Sequence, residues 1–501
     1  MVGERGSPLR IVATRYLLTS RLSTIYIMSY SEFLAALPIE IVSFFALVVM
    51  LTDALVEKST RLCSTLAIVG LATAGVAAAM TSTIDSSAFH RMIVSGGTAN
   101  VYDLIFAVAG ILTILLAKDY LVRIGAMYDE FYTLLMFSVT GMMLMAHAND
   151  FMILFVGLEV MSICFYVMCG LVRSELASNE AALKYFLLGA FASCFLLYGM
   201  ALVYGSVGST VYDAVQANAV STKYPLLFWA GIGLLIVGLG FKVAAFPFHQ
   251  WAPDVYQGAP TVVTGFMSTA GKAAAFSGFA GFMLPTLASG AEGVPRAQMI
   301  LAMIAVGSMM VGNITAMTQQ NIKRMLAYSS IAHGGYLMMG LAAGNEIGRE
   351  GILYYLVAYL FMQLGAFAVV GMLEKEHGRS LSIADYRGLG RKKPGLAMVM
   401  AIFMFSLTGI PPFAGFFGKY LLFEASIASG MTWLAIVSVL ASVISAWFYL
   451  GLIVTMFFRE PEGEEAMTAH TSGSSRTALA LAIAGTMVVG FLPQFLFNLL
   501  R

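Results

Sequence analysis

Runs of about 20 apolar residues recur along the chain from about Ser31 to its end, too uniformly apolar for the one-sided stripe of a soluble amphipathic helix. About fourteen can be placed, near 33–52, 62–80, 101–117, 130–147, 150–172, 180–204, 226–247, 259–284, 298–317, 321–342, 351–373, 395–427, 432–458 and 477–497. A bilayer core of about 30 Å takes about 20 helical residues to cross. The pattern therefore predicts an all-α integral membrane protein of about fourteen transmembrane helices, with no soluble domain between them.

Two spans break this pattern. FKVAAFPFHQWAPDVYQGAP, around Pro247, and LTGIPPFAGFFGKY, around Pro411 and Pro412, put proline where it removes a backbone donor and crowds the preceding turn. Broken backbone is costly against lipid, so such breaks belong where protein or a hydrated cavity covers them. They fall in spans 7 and 12, five helices apart. That spacing predicts two inverted five-helix repeats, spans 4–8 and 9–13, an arrangement typical of transporters.

Composition sharpens the picture: 59% of the 501 residues are hydrophobic and 11% charged, whereas soluble domains carry about 25% charged residues. The net charge of +1 offers no field for nucleic acid. The four cysteines lie in apolar runs with no CxxC or Cys/His grouping, which argues against an iron–sulfur, zinc or haem site and predicts simple packing residues. Counted over alternate loops and leaving out the N-terminal arm, about 15 Lys and Arg fall on one face and about 5 on the other. The positive-inside rule then predicts both termini on the outer, periplasmic side. Residues 1–30 form an Arg-bearing arm, and Met28, just before SYSEFLAALPIEIV, is the expected true start; residues 31–501 form one transmembrane domain.

Of 28 Lys and Arg, all but four fall in loops, at span ends or in the N-terminal arm; the four are Lys184, Lys242, Lys272 and Lys419. An unpaired ammonium at membrane depth costs at least about 2.5–3.5 kcal/mol, a cost kept mainly for function. Glu159, in FVGLEVMSICFYV, is the matching acid, with Lys184 in the next helix as its candidate partner and Glu180, one turn before Lys184, as a competitor. Burial disfavours an ammonium and a nearby carboxylate restores it, so moving the partner can load or unload a proton. A chain of lysines can thus carry protons without metal or organic cofactor. His249 and His333 are weaker relay candidates. Glu40 and Glu424 fit local pairing, and the Met, Phe and Tyr residues fit packing better than a quinone site.

The motifs FKVAAFPFHQWAPDVYQGAPTVVTGFMSTAGKAAAF, NIKRMLAYSSIAHGGYLMMG and SLTGIPPFAGFFGKYLLFEA closely resemble the antiporter-like membrane subunits of respiratory complex I, and agreement runs from about Ser31 to Arg501. The resemblance implies a fourteen-helix antiporter-like bundle in a membrane arm, beside sister subunits and coupled at a distance to quinone reduction. NADH, FMN, iron–sulfur clusters and quinone would belong to the parent complex, with none in this chain. It implies proton-path roles for Glu159 in the fifth helix, Lys184 in the sixth, Lys242 in the broken seventh, Lys272 in the eighth and Lys419 in the broken twelfth. Lysine at 419 matches the N-type branch, whereas the M-type carries glutamate there and the L-type adds a long lateral helix. A bacterial inner membrane is the expected home. Two rival readings share the same residues: a cation/proton antiporter subunit, and a subunit of a ferredoxin-fed or hydrogenase-type complex. A purely structural scaffold leaves the lysines unexplained.

Overall fold

The computed structural model describes residues 30–374, 382–460, 469 and 471–500. The expected arm and its start at Met28 therefore lie outside the described residues. The chain opens with α1 (Tyr30–Leu55) and α2 (Thr60–Thr81), then a small hairpin of β1 (Ser86–Ala88) and β2 (Ile93–Ser95), antiparallel with Ser86 opposite Ser95. Next come α3 (Thr98–Arg123), α4 (Glu130–His147), α5 (Phe151–Cys169), α6 (Leu176–Val207), a short α7 (Tyr212–Ala219) and α8 (Pro225–Lys242). After a break, α9 (Trp251–Gly258) leads to α10 (Thr261–Phe266), a π-helical turn (Met267–Gly271) and α11 (Lys272–Ala288). Then follow α12 (Val294–Met317), α13 (Ile322–Ala343), α14 (Glu346–Leu373), a 3-10 turn (Ile383–Tyr386) and α15 (Leu389–Lys392). The last elements are α16 (Pro394–Thr408), α17 (Ala414–Ala428), α18 (Thr432–Phe458), α19 (Gly473–Phe491) and α20 (Pro493–Leu500).

The architecture is all-α and polytopic, as the apolar runs predict. Among the described residues, ten helices are long and apolar enough to cross a membrane: α1, α2, α3, α5, α6, α8, α12, α14, α18 and α19. The remaining helices include α4, α10 with the π-turn and α11, α13, and the pair α16 and α17, none of which meets that measure. Each is shorter, more polar or interrupted. Hydropathy is also blind to depth. In α14, 89% of the most apolar window is buried against other helices, but in α6 only 33% is. Lipid and neighbouring helices demand the same apolar side chains, so α14 is central and α6 is rim although both read alike in sequence.

Both breaks are real interruptions with their freed backbone groups answered. Between α8 and α9 the chain turns through 243–250, where the Phe246 N–H donates to the Ser308 hydroxyl at 2.8 Å and the Trp251 indole donates to the Phe241 carbonyl at 2.9 Å. Between α16 and α17, Gly409 takes a φ of +87°, a left-handed conformation that suits glycine. Its own N–H closes back on the Phe405 and Ser406 carbonyls.

Candidate proton path

The lysines differ in what holds them. Lys242 is the last residue of α8 and is buried, and its Nζ has no hydrogen-bond partner among the described residues. It lies instead between two rings, 5.3 Å from the Tyr166 centroid and 5.1 Å from that of Tyr185. Each desolvated ring contact returns about 2 kcal/mol against the burial cost, but neither ring supplies a counter-charge. The charge state of Lys242 is left to respond to its surroundings. Glu159 is the acid whose field reaches it. Glu159 lies on α5 seven residues before Tyr166, two turns along the same face, and accepts a hydrogen bond from the Ser193 hydroxyl on α6.

The expected pairing of Glu159 with Lys184 is not what the structure holds. Lys184 Nζ lies 2.6 Å from Glu180 Oε1 and 2.8 Å from Asp254 Oδ2, and Asp254 Oδ1 lies 2.6 Å from Arg324. The reason is axial. Ser193, which holds Glu159, is nine residues beyond Lys184 on α6, roughly 13 Å of helix rise, whereas Asp254 on α9 comes directly alongside. Lys184 thus clamps the second half of the broken helix to α6, with 40% of its side chain exposed. Glu180 does share this lysine, as its spacing suggests.

Lys272 stands where the π-turn gives way to α11, and π-turns inside helices frequently mark functional sites. Its Nζ donates to the Ser330 hydroxyl at 2.7 Å and to the Ser330 carbonyl, with the Tyr359 ring 5.6 Å away. Gly334 on α13 faces two neighbours: a Cβ there would lie tightly against the Val243 carbonyl at 3.3 Å and in ordinary contact with Lys272 Nζ at 3.6 Å. The first break and the second lysine therefore meet on one glycine.

His333, one turn past Ser330 on α13, continues the line. Its Nδ1 is 2.5 Å from the Tyr355 hydroxyl and its Nε2 2.9 Å from the Tyr449 hydroxyl, which also bonds Ser329. Lys419 comes next, 4.7 Å from the Tyr336 ring, donating to the Thr408 carbonyl at 2.9 Å, the Leu407 carbonyl at 3.3 Å and the Ser442 hydroxyl at 2.7 Å. A cation there meets the carbonyl end of α16, which the break leaves unsatisfied. His249 does not join the line: it sits in the first break with its ring on Phe246 and its Nδ1 unpartnered. The structure thus brings Lys242, Lys272, His333 and Lys419 into one buried polar file with the half-buried Glu159 at its start, sets Lys184 and Glu180 at its flank, and leaves His249 aside.

Several charges escape sequence reading. Asp254 sits inside a quoted motif, yet beside proline and tryptophan it reads as part of a break. Lys323 is assigned to a loop by position, but it is buried and donates to the Ala259 carbonyl at 2.7 Å. Asp103 and His147 form a fully buried pair at 2.8 Å between α3 and α4; each stands near a helix end, where an interfacial residue is the ordinary reading. Cys194 is exposed rather than packed, while Cys63, Cys164 and Cys169 are buried. Among the described residues, no group of three or more His, Cys, Asp or Glu is placed to hold a metal ion.

An all-α membrane bundle with broken helices and a file of buried lysines defines a class of ion-translocating subunit. Residues 148–445 match the family described as NADH:quinone oxidoreductase/Mrp antiporter, TM, and the chain belongs to that family. Within it the chain is similar to NADH-quinone oxidoreductase subunit N 1 of Chloroherpeton thalassium, 41% identical over 467 residues, covering 93% of this chain and 97% of that protein. It resembles a chain of respiratory complex I from Thermus thermophilus with bound aureothin, at 34% identity and TM-score 0.79, covering 92% of this chain and 98% of the other. A chain of the Mrp complex from Dietzia sp. shares the fold, with TM-score 0.82 at 20% identity, over 94% of this chain and 96% of the other.

Proposed function

We propose that this chain is a proton-translocating membrane-arm subunit of an NADH-quinone oxidoreductase, of the N type, without a redox cofactor of its own. The single observation that carries the reading is the file from Glu159 through Lys242, Lys272 and His333 to Lys419, because it links both helix breaks through side chains that can gain and lose protons. A signal from quinone chemistry elsewhere in the complex shifts α9 against α6 through the Glu180–Lys184–Asp254–Arg324 clamp. That movement alters the balance between Glu159 and Lys242, and Lys242 passes a proton through Lys272 and His333 to Lys419. Release is to the outer side.

On this reading α4, α10 with α11, α13 and α16 with α17 complete about fourteen spans, arranged as inverted five-helix repeats over spans 4–8 and 9–13. Both termini lie on the outer side of a bacterial inner membrane, and sister antiporter-like subunits flank the chain. NADH, FMN, iron–sulfur clusters and quinone are held by other subunits. The cation/proton antiporter reading is favoured by the shared fold with the Dietzia Mrp chain, and a ferredoxin-fed complex would use the same lysines.

Affinity purification of the tagged chain in mild detergent separates these readings. The expected eluate is a large assembly with flavin and iron–sulfur subunits that reduces quinone with NADH. A redox-inactive eluate showing sodium-dependent proton exchange would replace this reading with the antiporter. Reduction driven by ferredoxin but not NADH would replace the donor alone.

A further inference from the structure

At the end of the bundle opposite the hairpin lies a cavity of about 220 Å³ that the lysine file does not use. Tyr120, Glu175, Ser178, Ala259, Lys323 and Glu374 are among its lining residues. Glu175 at its rim is exposed, while Lys323 and Glu374 are 2% and 1% exposed. The two buried charges are not an ion pair. Glu374 Oε2 accepts from the Tyr120 hydroxyl at 2.9 Å and from the Thr261 hydroxyl at 2.5 Å, while Lys323 donates to the Ala259 carbonyl. A buried carboxylate and a buried ammonium around a polar space of this size have room for several waters, since one needs about 10–15 Å³ of such volume. Charges so placed are otherwise expensive to keep.

The cavity also points at the file. Lys323 and Ser330, the residue that holds Lys272, are seven residues apart on α13, two turns along one face and roughly 10.5 Å of rise. Tyr256 faces Ser330 from α9, three residues before the carbonyl that Lys323 binds. We propose that this cavity is a hydrated vestibule by which protons from the inner aqueous phase reach the lysine file, with Glu374 as the collecting carboxylate and Lys323 as the cation that passes them to Lys272. The step balances. The Lys323 ammonium gives one proton along the Tyr256 and Ser330 hydroxyls to an unprotonated Lys272 amine, and regains one from cavity water supplied by Glu374. The proposal rests on the proton-translocation reading above.

The test compares three variants in vesicles bearing the assembled complex, reading protons taken up per electron transferred. Glu374→Gln keeps an oxygen for Tyr120 and Thr261 but cannot collect a proton; the expected result is a lower ratio with electron transfer retained, and recovery in Glu374→Asp. Ser178→Cys should react with a membrane-impermeant thiol reagent from the inner side only, above the background of the parent chain. That labelling decides the hydration of the cavity even if Glu374→Gln does not assemble. A full ratio in Glu374→Gln alongside a lowered one in Lys242→Ala overturns the vestibule and leaves the lysine file standing, as does an unreactive Ser178→Cys. A full ratio in Lys242→Ala overturns the underlying reading and the vestibule with it.

Discussion

Lys242 and Lys419 each stand beside a helix break, yet their surroundings predict opposite responses to the same substitution. Lys242→Met removes an ammonium that makes no hydrogen bond among the described residues and keeps an apolar side chain beside the two rings, so it leaves no hydrogen-bonding partner stranded. The expected result is a complex at least as heat-stable as the parent but deficient in pumping. Lys419→Met strands the Leu407 and Thr408 carbonyls and the Ser442 hydroxyl. At about 1–3 kcal/mol for each buried group left unsatisfied, the melting temperature should fall clearly, and a melt of the two variants side by side checks the contrast. Asp254→Asn tests the clamp: the Asp254 side chain is 37% exposed and its partners are partly exposed too, so stability should change by no more than about 1 kcal/mol. Proton uptake per electron should nevertheless fall, because α9 loses its charged tie to α6. A variant with unchanged uptake would remove the clamp from the mechanism.

The two breaks are where sequence and structure agree most closely. Proline in an apolar span is a local steric signal, and it locates 243–250 and 409–413 without any knowledge of packing. The groups that answer the freed backbone are not announced by the prolines themselves. Trp251 reaches Phe241 across the turn, and Ser308 comes from α12. Trp251→Phe should cost about 0.5–1.5 kcal/mol for the lost hydrogen bond, read as a lower melting temperature. Gly409→Ala forces an L side chain into a left-handed position, at about 1–2 kcal/mol, with its Cβ 3.0 Å from Lys419 Cδ. It should therefore lower both stability and pumping. Lys323 shows the limit of reading by position: the residue after Ile322 at a helix start looks solvated, and only the approach of α9 and α14 buries it.

At the scale of the molecule, hydropathy makes the membrane bundle legible but not its interior, because lipid and protein neighbours select the same side chains. The centrality of α14, the outward face of α6 and the Asp103–His147 pair all depend on which helix packs against which. The unequal Lys and Arg counts do carry one global expectation, the orientation. Lys223→Cys should react with an impermeant thiol reagent from the outer side and Lys393→Cys only from the inner side, both being exposed positions; the reverse pattern would invert the bundle and the direction of the path. The most direct measurement of proton passage through the lysine file is proton uptake per electron in vesicles bearing the assembled complex with Lys242→Ala. A ratio well below the parent's, with NADH-driven quinone reduction still running, is the expected result. A ratio equal to the parent's would mean that the protons travel elsewhere.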